Sequence, residues 1–525
     1  MALQLLPEYL AGNKEAKSFF CADFTISSER VKIVQAVSGK TTSKSVLEAL
    51  TRQNPGRLSL IEKLSARGSV AVVTGQQLGL FGGPVFTLYK ILTAVKLAAL
   101  LEKESGIATV PIFWTQSEDH DFEEIQRADF LGEKEEVKAL SLNLPREKLG
   151  GSVGRLVLGR DEIQDLQRSL STLLAENKFE NGTEILDLIT RHYRVGNTLG
   201  RAFAGFYSEI LKNFALLLFD PDDIEARTES KEFVATSFLR ADAIERILEE
   251  RIAKLQQAGF VVQVLIREHS PLFFVTLNGK RVRLEELTSG GYSAPGMTLT
   301  KENLYKLLDE KSDEFSSSAL IRPLLQDRLF PTAAYVAGPT EFNYLAEVQP
   351  LYPFFNLSAP LVFPRASFTV FDHVAKRLLD KSGISSHSLN KSSVEIVAGK
   401  LRGSKLDPDQ IFTRIEGEVQ AALDSEQAVF AELGGDLLQA LATTKTSIAT
   451  NIQKFRGRYE RALTQKEDVL SSQIERLKHI VYPAGKDQEK VLCVAHFLAR
   501  YGMKFLDQVF ENLDPLRFEK TDLVL

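Results

Sequence analysis

The apolar positions change period several times along the chain, and each change marks an element. Val70-Ala71-Val72-Val73 is a short β-rich run. Gly75, Gly79, Gly82 and Gly83 then break regular structure, and Pro84 reads as the first position of a helix, where its missing N–H leaves no bond unmade. Val85, Leu88, Leu92, Val95 and Ala99 keep helical spacing up to Gly106, a residue suited to end a helix. A second β-rich run, Thr109 to Trp114, leads into the polar stretch Thr115 to Asp121. Strand, glycine loop, helix and strand make a βαβ unit. Ligands of an open parallel sheet sit beyond the carboxyl ends of its strands, so the loops Thr74–Gly83 and Thr115–Asp121 fall on the binding edge.

The sheet pattern is then interrupted twice. After a first core part, 1–130, residues 131–195 are charged and helix-leaning, broken by Gly150-Gly151, and read as a first connective insertion. The core continues over 196–236 through the strand-like run Ala215 to Phe219, which ends in Asp220-Pro221-Asp222. Over 237–312 an amphipathic helix precedes the runs Val261–Ile266, Leu272–Leu277 and Arg281–Leu284, the last two flanking the hairpin signal Asn278-Gly279. This is a second, α+β insertion. The last core part, 313–378, holds strands at Tyr335–Ala337 and Leu361–Phe363, with helices near 318–330 and 340–350. The expected class is therefore α/β.

Residues 379–525 differ in kind. Ile411, Ile415, Val419, Val429, Leu433, Leu437, Leu441, Ile448, Ile452, Phe455 and Tyr459 recur at three-, four- and seven-residue steps, with no proline between Pro408 and Pro483. The spacing predicts one long amphipathic helix, or two antiparallel ones broken near Gly434-Gly435, of coiled-coil character. Such an arm either packs on its own chain or joins two copies; the second is the expectation adopted here.

Charge and cysteine content narrow the function classes. The 525 residues carry 64 basic and 69 acidic side chains, a net charge of −5, which excludes a protein built on a strongly basic face for nucleic acid or anionic membrane. At 44% hydrophobic and 25% charged residues the chain is globular. Two distant cysteines, Cys21 and Cys493, exclude a disulfide framework and a cysteine-rich zinc site, and fit a reducing cytoplasm. The first residues contain no basic leader, and no apolar run approaches the roughly 18 residues of a membrane span. A cytoplasmic protein is expected.

Four clusters carry candidate chemistry. The loop Thr74-Gly75-Gln76-Gln77 through Gly83 opens a helix whose N-terminus favours an anion, with Lys90 a candidate contact for phosphate or carboxylate. The loop matches no standard phosphate-binding motif, and tight helix–sheet packing would also explain its glycines. Glu118-Asp119-His120-Asp121 is the densest ionisable cluster; a subset of it could deprotonate an amine or hold a cation, whereas a helix-start cap is the plainer use. No metal is predicted, because these ligands lack a diagnostic spacing. Arg322 and Gln326 precede Gly338, Glu341 and Tyr344, and an Arg322–Glu341 structural pair is the plain alternative to a substrate wall. Arg365 and Ser367 follow the last strand, where Arg365 could grip an anion in bidentate fashion. The remaining histidines, His192, His269, His373 and His496 among them, are scattered and read as structural or exposed.

The segments VTGQQLGLFGGPVFTLYK, PIFWTQSEDHDFEEI, IRPLLQDRLFP, YVAGPTEFNYLAEVQPLY and VFPRASFTV together resemble the bacillithiol biosynthesis cysteine-adding enzyme family. The resemblance implies a Rossmann-like, nucleotidyltransferase-type core with two connective insertions and a C-terminal coiled coil that makes a homodimer. It implies a ligase joining L-cysteine to the amine of glucosaminyl-malate, with ATP as the expected source of activation. The loop Gly79–Pro84 contains no histidine and Arg365-Ala366-Ser367 no lysine, so neither matches the phosphate loops of related nucleotidyltransferases. Another ATP-dependent amino-acid ligase and a non-catalytic coiled-coil scaffold are the alternatives.

Overall fold

The computed structural model describes residues 3–264, 272–287, 290–466 and 468–525. Five parallel strands form the central sheet: β1 (Val70–Gln76), β2 (Thr109–Thr115), β3 (Leu217–Phe219), β4 (Thr332–Ala337) and β5 (Leu361–Pro364). Their spatial order is β5-β4-β1-β2-β3. All pairings are parallel: Gln76 stands opposite Thr115, Trp114 opposite Phe219, and Ala337 opposite Pro364. The order reverses at β1 and β4, and a crevice opens beyond the strand ends at such a switch point. Strand interiors such as Val70–Val73 and Ala333–Ala337 are buried on both faces, which explains runs with no polar alternation.

Helix α1 (Phe86–Ser105) follows β1 and ends at Gly106, whose φ of 70° is the left-handed cap the sequence predicts. The helix starts later than expected: Val85 is the cap, and Pro84 lies before it, paired as an isolated bridge with Cys493. Helices α2 (Arg322–Leu329) and α3 (Pro339–Val348) flank β4, each with proline in its first turn.

The hairpin at Asn278-Gly279 forms as predicted, pairing Phe273–Leu277 with Lys280–Arg283, and Phe315–Ser317 adds a third antiparallel strand. The predicted strand Val261–Ile266 is not borne out over 261–264; Leu265, Ile266 and His269 lie outside the described residues. Two strands precede the helices of the first insertion: Arg127–Leu131, at the end of the first core part, and Val137–Ser141, inside the segment read as helix-leaning.

Two compact units partition the chain. One comprises Met1–Glu133, Lys138–Phe368 and Glu489–Thr521; the other Lys134–Val137, Thr369–Gln488 and Asp522–Leu525. The arm expected over 379–525 is thus divided, because residues 489–521 pack with the sheet unit; Val494, for example, donates its N–H to the Gly83 carbonyl. Within the second unit the helices Pro408–Ser425 and Gly435–Lys466 are antiparallel: Asp409 meets Arg456, Glu416 meets Gln453 and Asp424 meets Lys445. The chain turns through Gly434 (φ 126°), so the two-helix alternative holds. Among the described residues no helix is long and apolar enough to cross a membrane.

Candidate functional site

A cavity of about 620 Å³ opens in the sheet unit at the carboxyl ends of β1, β2 and β4. Loops after three strands reach it, as the topology requires.

One wall is acidic. Gln77 donates through Nε2 to Asp119 Oδ2 at 2.9 Å and to Glu124 Oε2 at 2.7 Å, tying the loop after β1 to the loop after β2. Glu118 is buried; its Oε1 accepts from Ser317 Oγ at 2.7 Å, and Arg227 Nη2 lies 3.4 Å from its Oε2. Burial alone would raise the Asp119 carboxyl, but hydrogen bonds from the Gln77 amide and the His120 backbone N–H, with the nearby Arg281 charge, hold it below the usual carboxylate range. His120 lies beside it, with Arg281 Nη1 at 2.8 Å from Nδ1. Asp121 is exposed and does not line the cavity; it accepts from Glu124 N and caps the short helix Phe122–Ile125, the plainer use foreseen for this cluster.

The opposite wall is built from α1, α2 and α3. Lys90 is fully buried, not a solvated helix lysine: Nζ donates to Gly75 O, to Gln76 Oε1 at 3.2 Å and to Glu341 Oε2 at 2.5 Å. Burial pushes the Lys90 ammonium below its usual value, against the pull of Glu341. Burial works to raise the Glu341 carboxyl, but Lys90, the Gly338 N–H and Arg322 bring it below normal. Glu341 also accepts from Tyr335 Oη at 2.9 Å and Gly338 N at 2.7 Å, so its carboxylate is spent on the protein. The direct Arg322–Glu341 pair does not form. Arg322 Nη2 instead donates to Tyr344 Oη at 2.8 Å, and Tyr344 passes the bond to Glu341 Oε1 at 3.4 Å. Arg322 is 5% exposed, and its Nη1 has no partner among the described residues. An orphaned guanidinium N–H at a cavity wall fits a carboxylate or phosphate oxygen.

Arg365 lines the same cavity, but its fork is already filled: Nη1 and Nη2 reach Glu489 at 3.0 and 2.7 Å, leaving only Nε unpartnered. Bidentate capture of substrate by Arg365 is therefore corrected, since an intramolecular carboxylate holds both nitrogens. Ser367 also serves Glu489, at 2.8 Å, and lies outside the cavity. Glu489 is more than a hundred residues away in sequence, so no local pattern announced the pair.

The glycine loop does not act as the expected anion cradle. Only Gln76 and Gln77 of its predicted contacts line the cavity. Thr74 Oγ1 donates to Val336 O at 2.8 Å and fastens β1 to β4; Gly75 supplies a carbonyl to Lys90; Gly83 (φ 67°) accepts from Val494 N at 2.9 Å. A Cβ on Gly79 would lie 2.4 Å from the Gly83 Cα, and Phe81 N and Gly82 O bond to Tyr193 and Tyr207. With the N–H groups of Gly79, Phe81 and Gly83 bonded to protein groups, the loop lacks the run of free N–H groups that cradles a triphosphate. Gln326 is buried against Asp327 and is likewise outside the cavity.

Three wall elements escaped the sequence reading. Arg281 and Phe274 come from the hairpin of the second insertion, Ser317 from the strand beside it, and Lys490 from the segment after the helical arm. The Asn-Gly turn located the hairpin, but nothing in one dimension aimed it at this edge.

Two family models match the chain: "Bacillithiol biosynthesis BshC, N-terminal Rossmann-like domain" over residues 2–366, and "Bacillithiol biosynthesis BshC, C-terminal coiled-coil domain" over 368–523. A protein of Solibacter usitatus described as "Putative cysteine ligase BshC" is 29% identical over 472 residues, covering 89% of this chain and 87% of its own. Proteins with the same description from Koribacter versatilis (28% identical; 97% of this chain, 95% of the relative) and Bacillus pumilus (28%; 91% and 87%) are similar throughout.

Proposed function

Since the chain belongs to the BshC family of bacillithiol biosynthesis, matched across both of that family's domains, we propose that it is the ligase joining the carboxyl group of L-cysteine to the amine of glucosaminyl-malate, giving bacillithiol. One observation carries the reading: an acidic wall and a wall with an unpartnered guanidinium N–H line one cavity at the sheet's switch point. The second substrate has a matching polarity, an amine at one end and carboxylates at the other.

Glu118, Asp119 and Glu124 draw the amine to their wall by charge. The amine lone pair forms the C–N bond to the acyl carbon of an activated cysteine while the bond to the leaving group breaks, and the released N–H proton passes to a carboxylate of this wall. Arg322 Nη1 and Arg365 Nε, beside Tyr344, receive the malyl carboxylates. The closed glycine loop supports no step through ATP at that place.

A second copy of the chain is proposed as the partner of the helical hairpin, whose Val429, Leu433, Leu437 and Phe455 remain exposed. A bare scaffold has no use for the unpartnered Arg322 Nη1 at the cavity wall, because a buried donor left unpaired costs stability.

Deleting the gene in the cell of origin and measuring low-molecular-weight thiols tests the reading. Loss of bacillithiol with build-up of its amine precursor is expected; an unchanged thiol pool overturns it. Joining of another amino acid by purified protein, offered a panel with glucosaminyl-malate and ATP, would replace cysteine as the donor.

A further inference from the structure

His120 meets Arg281 Nη1 through Nδ1 at 2.8 Å. A guanidinium has donors and no acceptor, so at this distance Nδ1 must accept. The rival arrangement, an Nδ1–H donated to Asp119 Oδ1 at 3.3 Å, would set two N–H groups against each other across the shorter contact. Asp119 Oδ1 already accepts from the His120 backbone N–H at 2.7 Å, so it does not require the ring proton.

Arg281 is itself firmly held. Its side chain is 6% exposed, Nε donates to Ser316 Oγ at 2.7 Å, Nη2 to Ser317 O at 2.8 Å, and the guanidinium lies 3.8 Å from the Phe274 ring centroid. Three contacts from two neighbouring strands fix the direction of the Nη1–H. The other ring nitrogen, Nε2, has no protein partner among the described residues, and His120 lines the cavity.

We propose that Arg281 is a positioning residue that locks His120 in the tautomer with its proton on Nε2, so that His120 offers the cavity a hydrogen-bond donor and not a base. The acceptor it fits is an oxygen of the acyl donor, the atom that gains charge as the amine attacks. The proton released by the amine then belongs to the carboxylates of the acidic wall. This deepens the ligase reading and rests on it for the identity of the acceptor, though not for the tautomer.

The test is a ¹⁵N spectrum of the full chain with labelled histidine, in which His120 is one of seven histidines and is assigned by its loss in His120→Gln. Wild type is expected to show an unprotonated Nδ1 and a protonated Nε2 at neutral pH. Arg281→Met should remove that bias and Arg281→Lys, which keeps a donor, should retain part of it, with the other histidine signals unmoved. An Nδ1-protonated or doubly protonated ring in wild type overturns the proposal, whether or not the chain makes bacillithiol. In turnover, His120→Ala should lose about 100-fold in kcat, and His120→Gln, whose amide still donates, clearly less. Equal loss in both folded variants would overturn the donor assignment and leave the ligase reading standing.

Discussion

Replacing Lys90 by Met is the sharpest perturbation of the site's frame. Methionine nearly conserves the volume of the lysine stem, so the packing change is small. What changes is charge: Glu341 loses its cation, and Gly75 O and Gln76 Oε1 lose a donor. Removing one member of a buried pair costs ~3–5 kcal/mol, because the other charge is left uncompensated. Glu341 retains Tyr335, Tyr344 and the Gly338 N–H, and its side chain is 15% exposed, so the lower end, ~3 kcal/mol, is expected. Lys90→Met/Glu341→Gln removes the orphaned charge, and the cycle should show a coupling of ~2 kcal/mol. The single tryptophan, Trp114 of β2, is fully buried, so its fluorescence in a urea titration reports this unit. The pair also fixes a pH trend. Glu341 is held below its usual value, so its contribution is present above the ordinary carboxylate range and fades as pH falls through the folded value. Lys90→Met should flatten that acid limb. A cost under ~1 kcal/mol, or effects additive within ~0.5 kcal/mol, would refute the reasoning.

Two further outcomes follow from other parts of the same unit. Gly82→Ala puts a Cβ 2.8 Å from Phe206 Cε1 and 2.9 Å from Val494 Cβ at a φ of 91°, so urea unfolding should show a loss of at least ~2 kcal/mol; a neutral result would mean the loop is open. Burial pushes the Glu347 carboxyl up to about 7, where it accepts from Gln263 N at 2.7 Å. The folded state then keeps a proton that the unfolded chain releases, so stability falls by roughly 3 kcal/mol as pH rises from about 4.5 to about 7. Glu347→Gln should abolish that slope, and an unchanged slope between pH 5 and pH 8 would contradict the assignment.

The core strands were legible because a parallel sheet buries both faces, and Val70–Val73, Ile112–Trp114 and Tyr335–Ala337 are uninterrupted apolar runs. The binding edge followed from topology alone, which is why Gln76, Gln77, Glu118, Asp119, His120, Arg322, Glu341, Tyr344 and Arg365 do share one cavity. What local sequence could not give was how each charge is spent. Lys90 and Glu341 are 251 positions apart, and Arg365 and Glu489 are 124 apart, so their pairing depends on tertiary placement. Asp121 was swept in by neighbours with which it shares a loop but not a direction, and Thr74 by a loop it does not belong to, since it still lies in β1. Arg281 was invisible for the same reason: its importance arises from where the insertion's hairpin docks.

The central claim, that these two walls form the site of cysteine ligation, is tested most directly by returning variants to the gene-deleted cell and measuring bacillithiol and its amine precursor. Wild type should restore the thiol, while Asp119→Asn and Arg322→Met, expressed and folded, should leave the precursor accumulated and bacillithiol absent. Restoration of bacillithiol to wild-type levels by both variants would contradict the account.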